Sequence, residues 1–139
     1  MSSRDLAQAI RRIGSTADDA RVSVDQLIAC IAATKQATSR NGVVIGNVLK
    51  TVFSRIRRAN VLAVAGVSGY TRKGRPRATL AVLKDVAKVY GRASPTKRQR
   101  IAEAVGGVFM IFLVTALLRD LTNPHGIYCQ AYAAMRHTS

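Results

Sequence analysis

The sequence predicts an all-α protein made of amphipathic helical hairpins or a bundle. Three observations predict it. Apolar residues recur at helical spacing along most of the chain, helix-start signals stand in front of several of these stretches, and one Gly-rich basic stretch, residues 66–77, interrupts the pattern. The chain divides accordingly into an N-terminal helical hairpin region (1–63), a Gly/basic loop (64–78) and a C-terminal helical region (79–139).

The first helix runs from Ser3 to Ile13. Leu6, Ile10, Ile13 and Ala17 recur at helical spacing, while Arg4, Asp5, Gln8, Arg11 and Arg12 are polar. Gly14 loosens its end, and the helix can resume through Ala17 to Ala20. Ser23 opens the second helix with a capping box. Its hydroxyl can accept from the Gln26 amide, and the Gln26 side chain can reach back to the Ser23 amide. Val24, Leu27, Ile28 and Ile31 follow as one stripe. The polar run from Thr34 to Gly42 ends in Asn-Gly, a turn signal.

The third helix, about Val43 to Arg58, has the cleanest period. Ile45, Val48, Leu49, Val52, Phe53 and Ile56 share one face, and Asn47, Lys50, Ser54, Arg55 and Arg58 lie away from it. Arg55, Arg57 and Arg58 also complement the negative end of the helix dipole. The short link before this helix favours a helical hairpin, with Leu27, Ile28 and Ile31 as partners of the stripe.

Residues 66–77, GVSGYTRKGRPR, hold three glycines and a proline. Val67–Tyr70 and Arg75–Arg77 can close a small β-hairpin around Lys73-Gly74. Thr79 to Tyr90 is again amphipathic, with Leu80, Leu83, Val86, Ala87 and Tyr90 on one face, and Gly91 ends it. Ser94-Pro95 starts the next helix, with Ser as N-cap and Pro at the first helical position. That helix is expected to continue through Ala104–Leu118 to a stop at Asn123-Pro124. A short final helix in HGIYCQAYAAM is expected after it.

Composition narrows the function classes. Aromatics make up 5% of the 139 residues and Trp is absent, so the apolar mass is Ala, Val, Ile and Leu. Such side chains suit close helix contact better than a deep pocket. Twenty-two basic residues against 7 acidic give +15, which attracts nucleic acid, anionic membrane or acidic protein without implying sequence-specific reading. The opening MSSRDLAQAIRR lacks the apolar run of a secretory signal. Cys30 and Cys129 form no C-x-x-C pair, and two reduced thiols are expected rather than one disulfide.

No catalytic constellation is present, so the chain reads as a non-enzyme without cofactor or metal. His125 and His137 fall in no metal-ligand spacing, and His125 with Cys129 reads as a terminal turn and a half-buried thiol rather than a nucleophile pair. Gly42-x-x-x-Gly46 and Gly66-x-x-Gly69 lack the Lys-Ser/Thr of a phosphate-binding loop. Gly42 reads as a helix boundary and Gly46 as a small residue where two helices approach. Arg72, Lys73, Arg75 and Arg77, with Lys97, Arg98 and Arg100, offer a phosphate-contacting surface, with Tyr70 as the nearby aromatic. The 15 uncharged residues of Ala104–Leu118 fall short of the roughly 20 that span a bilayer. They read as a buried helix, with membrane contact left open.

Four words of this sequence occur in one order. They are RDLAQAIRRIGSTADDARVSVDQLIACIAATKQAT, NGVVIGNVLKTVFSRI, GRPRATLAVLKDVAKVY and KRQRIAEAVGGVF. In that order the chain resembles, from Arg4 to Tyr132, the core region of tail tape-measure proteins of long-tailed bacteriophages. It departs from them in its charge, in the short link after Arg58 and in the apolar VFMIFLVTALL after Gly107.

The resemblance implies a virion structural protein that acts in tail assembly and tail-length determination by helix packing inside the tail tube. Its partners would be tail-tube and tail-assembly proteins and further copies of itself. Its location would be the virion tail, and the host cytoplasm during assembly. A continuous helix of 139 residues reaches only ~210 Å at about 1.5 Å per residue. The resemblance therefore implies a fragment, a prophage remnant or one module of a larger ruler. A basic helical nucleic-acid-binding module is the alternative reading.

Overall fold

The computed structural model describes residues 2–138 and is all-α. Its helices are α1 (Ser3–Ile13), α2 (Ser15–Asp19), α3 (Val24–Thr38), α4 (Gly42–Arg55), α5 (Ala59–Ala65), α6 (Thr79–Arg92), α7 (Pro95–Gly106), α8 (Ile111–Leu121) and α9 (Ile127–Thr138), with a 3₁₀ turn at Val108–Met110. Side-chain caps explain several of the starts. Ser2 Oγ accepts from the Asp5 amide at 3.1 Å, Asn41 Oδ1 from the Val44 amide at 3.0 Å and Ser94 Oγ from the Lys97 amide at 3.2 Å. The capping box of α3 is complete, with Ser23 and Gln26 exchanging two bonds of 3.1 Å.

Three helices set the frame. Asp5 and Gln8 of α1 lie against Gly42, and Ala9 and Arg12 lie against Gly46, so α1 and α4 run side by side in the same direction. The Lys35 ammonium, near the end of α3, reaches Asp5 at the start of α1 at 3.2 Å, so α3 runs back between their ends. The order is up, down, up. α3 is central and packs against α9 and α8 as well as α4. Ala29, Cys30, Ile31 and Ala33 are buried on it, with Thr34 donating back to the Cys30 carbonyl at 2.9 Å. α6 packs on α8, and α7 touches α4, α5 and α8, which closes one continuous core.

The structure corrects the sequence reading at several points. Val24 is 68% exposed, because it sits in the first turn of α3 before the stripe meets its neighbours. Ile28 is half-buried, and the deeper face of α3 is carried by Leu27, Ile31 and the small residues Ala29, Cys30 and Ala33. Ile10 lies at the edge of the α1 face, whose centre is the fully buried Ala9. Gly91 does not end α6, which continues to Arg92. The third helix stops at Arg55, and a separate helix, α5, follows.

The helix expected from Pro95 to Asn123 is two helices. α7 and α8 meet at 105°. Gly106 lies against Val114 so closely that a Cβ there would collide with the valine side chain, and Gly107 turns the chain at φ +78. The expected β-hairpin is reduced to one antiparallel bridge, Tyr70 with Pro76. It is flanked by backbone bonds from the Thr71 amide to the Arg75 carbonyl (2.8 Å) and from the Arg77 amide to the Gly69 carbonyl (2.9 Å).

Candidate functional site

The first candidate is the packing surface. Leu27, Ile31, Ile45, Val48, Leu49, Val52, Phe53 and Ile56 are all buried in the common core, and Ile28 packs half-buried beside them. Sequence reasoning pairs the α4 stripe with α3 alone. The structure adds α1, which lies against α4 along Gly42 and Gly46. A Cβ at Gly46 would stand 2.5 Å from Arg12 Cβ and 2.8 Å from the Ala9 carbonyl oxygen, so the seam requires glycine there. At Gly42 the obstacle is the Asp5 backbone. Gly42 is thus a close-approach residue as well as a helix boundary.

Asp5 ties the ends of three helices together. One carboxylate oxygen accepts from the Gly42 amide at 3.2 Å, and the other faces the Lys35 ammonium at 3.2 Å. The Lys35 bond holds this carboxyl below the ordinary range against a smaller desolvation effect, and the Gly42 amide adds to it. Asp120, in α8, binds the start of α9. Its two oxygens accept from the Ile127 amide (2.9 Å) and the Tyr128 amide (2.8 Å). No pattern in the sequence singles out either aspartate, since each acts on a helix distant in sequence or across a turn.

The second candidate is the basic surface, and the structure divides it. Arg72, Lys73 and Arg75 are exposed at the tip of the 66–77 loop. Arg77 is committed elsewhere, donating to the Ser68 carbonyl at 2.9 Å and pairing with Asp85 at 2.5 Å. Arg57 braces the same loop through the Gly69 carbonyl at 3.3 Å, the Arg77 carbonyl and Thr79 Oγ1 at 3.5 Å. Thr79 Oγ1 in turn donates to the Ala20 carbonyl at 2.6 Å.

Lys97, Arg98 and Arg100 do not join this cluster. They lie past the far end of the 14-residue α6, which is about 20 Å long. Arg98 donates to the Tyr90 and Gly91 carbonyls at 3.0 and 2.9 Å and stacks over the Tyr90 ring at 5.7 Å, which fastens α7 to the end of α6.

Neither thiol is placed for nucleophilic chemistry. Cys30 is fully buried, and burial pushes it up to about 12; Cys129 is half-buried on α9, and both are free. His125 is exposed in the turn before α9, and His137 is exposed near its end. Tyr128 is buried beside the Lys84 ammonium, which sits 5.1 Å from its ring centroid, and it stacks on Tyr132 at 6.0 Å. Desolvation holds its hydroxyl well above the usual phenol range. No group of three or more His, Cys, Asp or Glu among the described residues could hold a metal.

An open cleft of about 470 Å³ lies between α6, α7 and α8, lined by Tyr90, Arg98, Gln99, Ile111, Thr115 and Arg119 among others. It brings together no acid–base pair. No single helix among the described residues is long and apolar enough to cross a membrane.

These features define an all-α bundle organised by helix packing. No family model matches the chain, and no solved structure matches it.

Proposed function

We propose that this chain is a packing module of a bacteriophage tail tape-measure protein, acting in tail assembly as a structural component and not as an enzyme. One observation carries the reading. Several residues of the words that carry the resemblance lie where helices meet.

In RDLAQA, Asp5 bridges the starts of α1 and α4, and Ala9 lies under Gly46. In NGVVIGNVLK, Asn41 caps α4, and Gly42 and Gly46 form the seam. In IAEAVGG, Gly106 and Gly107 make the elbow between α7 and α8. Asp5 is the one ionisable group named here, and its two oxygens are engaged by the Gly42 amide and the Lys35 ammonium. A sequence built for catalysis would distribute its distinctive residues around a cleft instead.

The compact form also bears on how such a module would serve a ruler. The longest helix here, α3, has 15 residues and spans about 22 Å. Length would come from repeating or extending beyond this body, which supplies contacts rather than reach.

The test is co-assembly. The purified chain is mixed with a purified tail-tube subunit of a long-tailed bacteriophage, and the products are sedimented and viewed by negative-stain microscopy. Tube subunits that sediment with the chain, and fail to do so with Gly46→Leu, are expected. Tube subunits that polymerise identically with or without the chain, and leave it in the supernatant, would overturn the reading.

A further inference from the structure

The tip of the 66–77 loop has properties that packing does not use. Tyr70 is 60% exposed, although its backbone is fixed. Its amide donates to Ser68 Oγ at 3.2 Å, Ser68 Oγ donates to its carbonyl at 3.0 Å, and it forms the bridge with Pro76. The turn beyond it is equally ordered. The Gly74 amide donates to the Thr71 carbonyl at 2.9 Å, and the Arg75 amide donates to Thr71 Oγ1 at 3.2 Å.

A two-stranded turn is marginal alone, and here two arginines from its base hold it. Arg57 and Arg77 together bind the backbone carbonyls of Ser68, Gly69 and Arg77. Arg77 also engages Asp85, the carboxylate at the base of the loop. Arg72, Lys73 and Arg75 are left exposed within five residues of Tyr70, with no hydrogen bond or ion pair from their side chains among the described residues.

We propose that this loop tip is a docking element for single-stranded nucleic acid. Tyr70 offers a ring face for one base to stack on, and Arg72, Lys73 and Arg75 take the flanking phosphates. Because the turn folds back on itself, with Tyr70 paired to Pro76, the ring and the three cations are gathered at one tip and face a short stretch of a single strand. A base in a duplex presents no free face to the ring, so single strands are preferred. The tip carries no second exposed large apolar side chain to insert into a bilayer. Val108 and Phe112, which are 67% and 69% exposed, lie instead at the α7–α8 elbow. This inference stands apart from tail assembly, since it uses residues that the helix seam does not.

The test is fluorescence anisotropy of a labelled oligo-dT against the whole chain, over a salt series, with anionic vesicles as a parallel arm. Micromolar binding at low salt is expected. Tyr70→Ser should weaken it about tenfold and Tyr70→Phe should restore it, because stacking needs the ring and not the hydroxyl. The triple change Arg72→Gln, Lys73→Gln, Arg75→Gln should lower the salt slope by about 2, at roughly 0.7 per phosphate contact on a single strand. The double change Lys97→Gln, Arg100→Gln, at the other end of α6, should leave the Tyr70 effect intact.

Unchanged binding by Tyr70→Ser would overturn the proposal and assign any affinity to the diffuse +15 field. So would equal losses per charge at the tip and at the distant pair. Loop variants that lose vesicle binding but keep oligonucleotide binding would show a lipid site instead and equally overturn it. Melting curves are expected to stay unchanged, since every altered side chain is exposed.

Discussion

Asp5 shows how much a single residue organises here. Its two carboxylate oxygens hold the first amide of α4 and the ammonium near the end of α3, so its charge state reports on three helices. Its folded-state ionisation lies below the ordinary value of 3.8. The stability it contributes is therefore fully present above about pH 4 and is lost as the pH falls through the folded value. Melting temperature measured from pH 6 down to pH 2.5 should fall more steeply for the natural chain than for Asp5→Asn. Parallel curves would show that Asp5 carries no such linkage. The sequence displays Asp5 only as an acidic residue in a first turn; the distant amide it binds becomes visible once α4 is laid beside α1.

Elements differ in how much their residues disclose. α1 runs from Ser3 to Ile13 as its period predicts, and α3 and α7 begin at the caps that Ser23 and Ser94 provide. These signals are local, so they survive without knowledge of the fold. α5 was not legible, because ANVLAVA has seven residues, no side-chain cap and no period long enough to read. The elbow at Gly106-Gly107 was hidden by the apolar run around it, since a continuing buried helix and a second helix give the same composition. The seam partner of α4 was hidden for another reason. A short link makes α3 the obvious neighbour, whereas the closest approach is decided by Gly42 against Asp5 and Gly46 against Ala9.

The same distinction governs α9, whose start depends on a side chain from the preceding helix. Asp120→Ala removes both acceptors for the Ile127 and Tyr128 amides. A cost of about 1–2 kcal/mol is expected, as for the loss of a strong helix cap. Hydrogen exchange should quicken first at those two amides. Exchange that is unchanged there, with loss of protection elsewhere, would contradict this assignment of the cap.

At the scale of the whole molecule, two kinds of surface are kept apart. The interior is joined by small residues and aliphatic stripes, and its polar contacts are mostly helix caps and backbone clamps. The charge of +15 lies outside, with Arg72, Lys73 and Arg75 at one end of α6 and Lys97 and Arg100 at the other. The bundle itself depends on α1 approaching α4 closely, which sets the frame on which α3 and then α8 and α9 are packed.

That close approach is the central claim, and the sign of one substitution tests it. In an exposed helix, replacing glycine by alanine stabilises by about 0.5–1 kcal/mol. Gly91 in α6 meets nothing within 4 Å of an added Cβ, whereas Gly46 meets Arg12 and the Ala9 backbone at 2.5 and 2.8 Å. Urea denaturation of Gly46→Ala and Gly91→Ala should therefore move the midpoint in opposite directions. Gly91→Ala should raise it, and Gly46→Ala should lower it by the equivalent of about 1–3 kcal/mol of overpacking. A Gly46→Ala protein as stable as Gly91→Ala would contradict the seam, and with it the reading of this chain as a module built for helix packing.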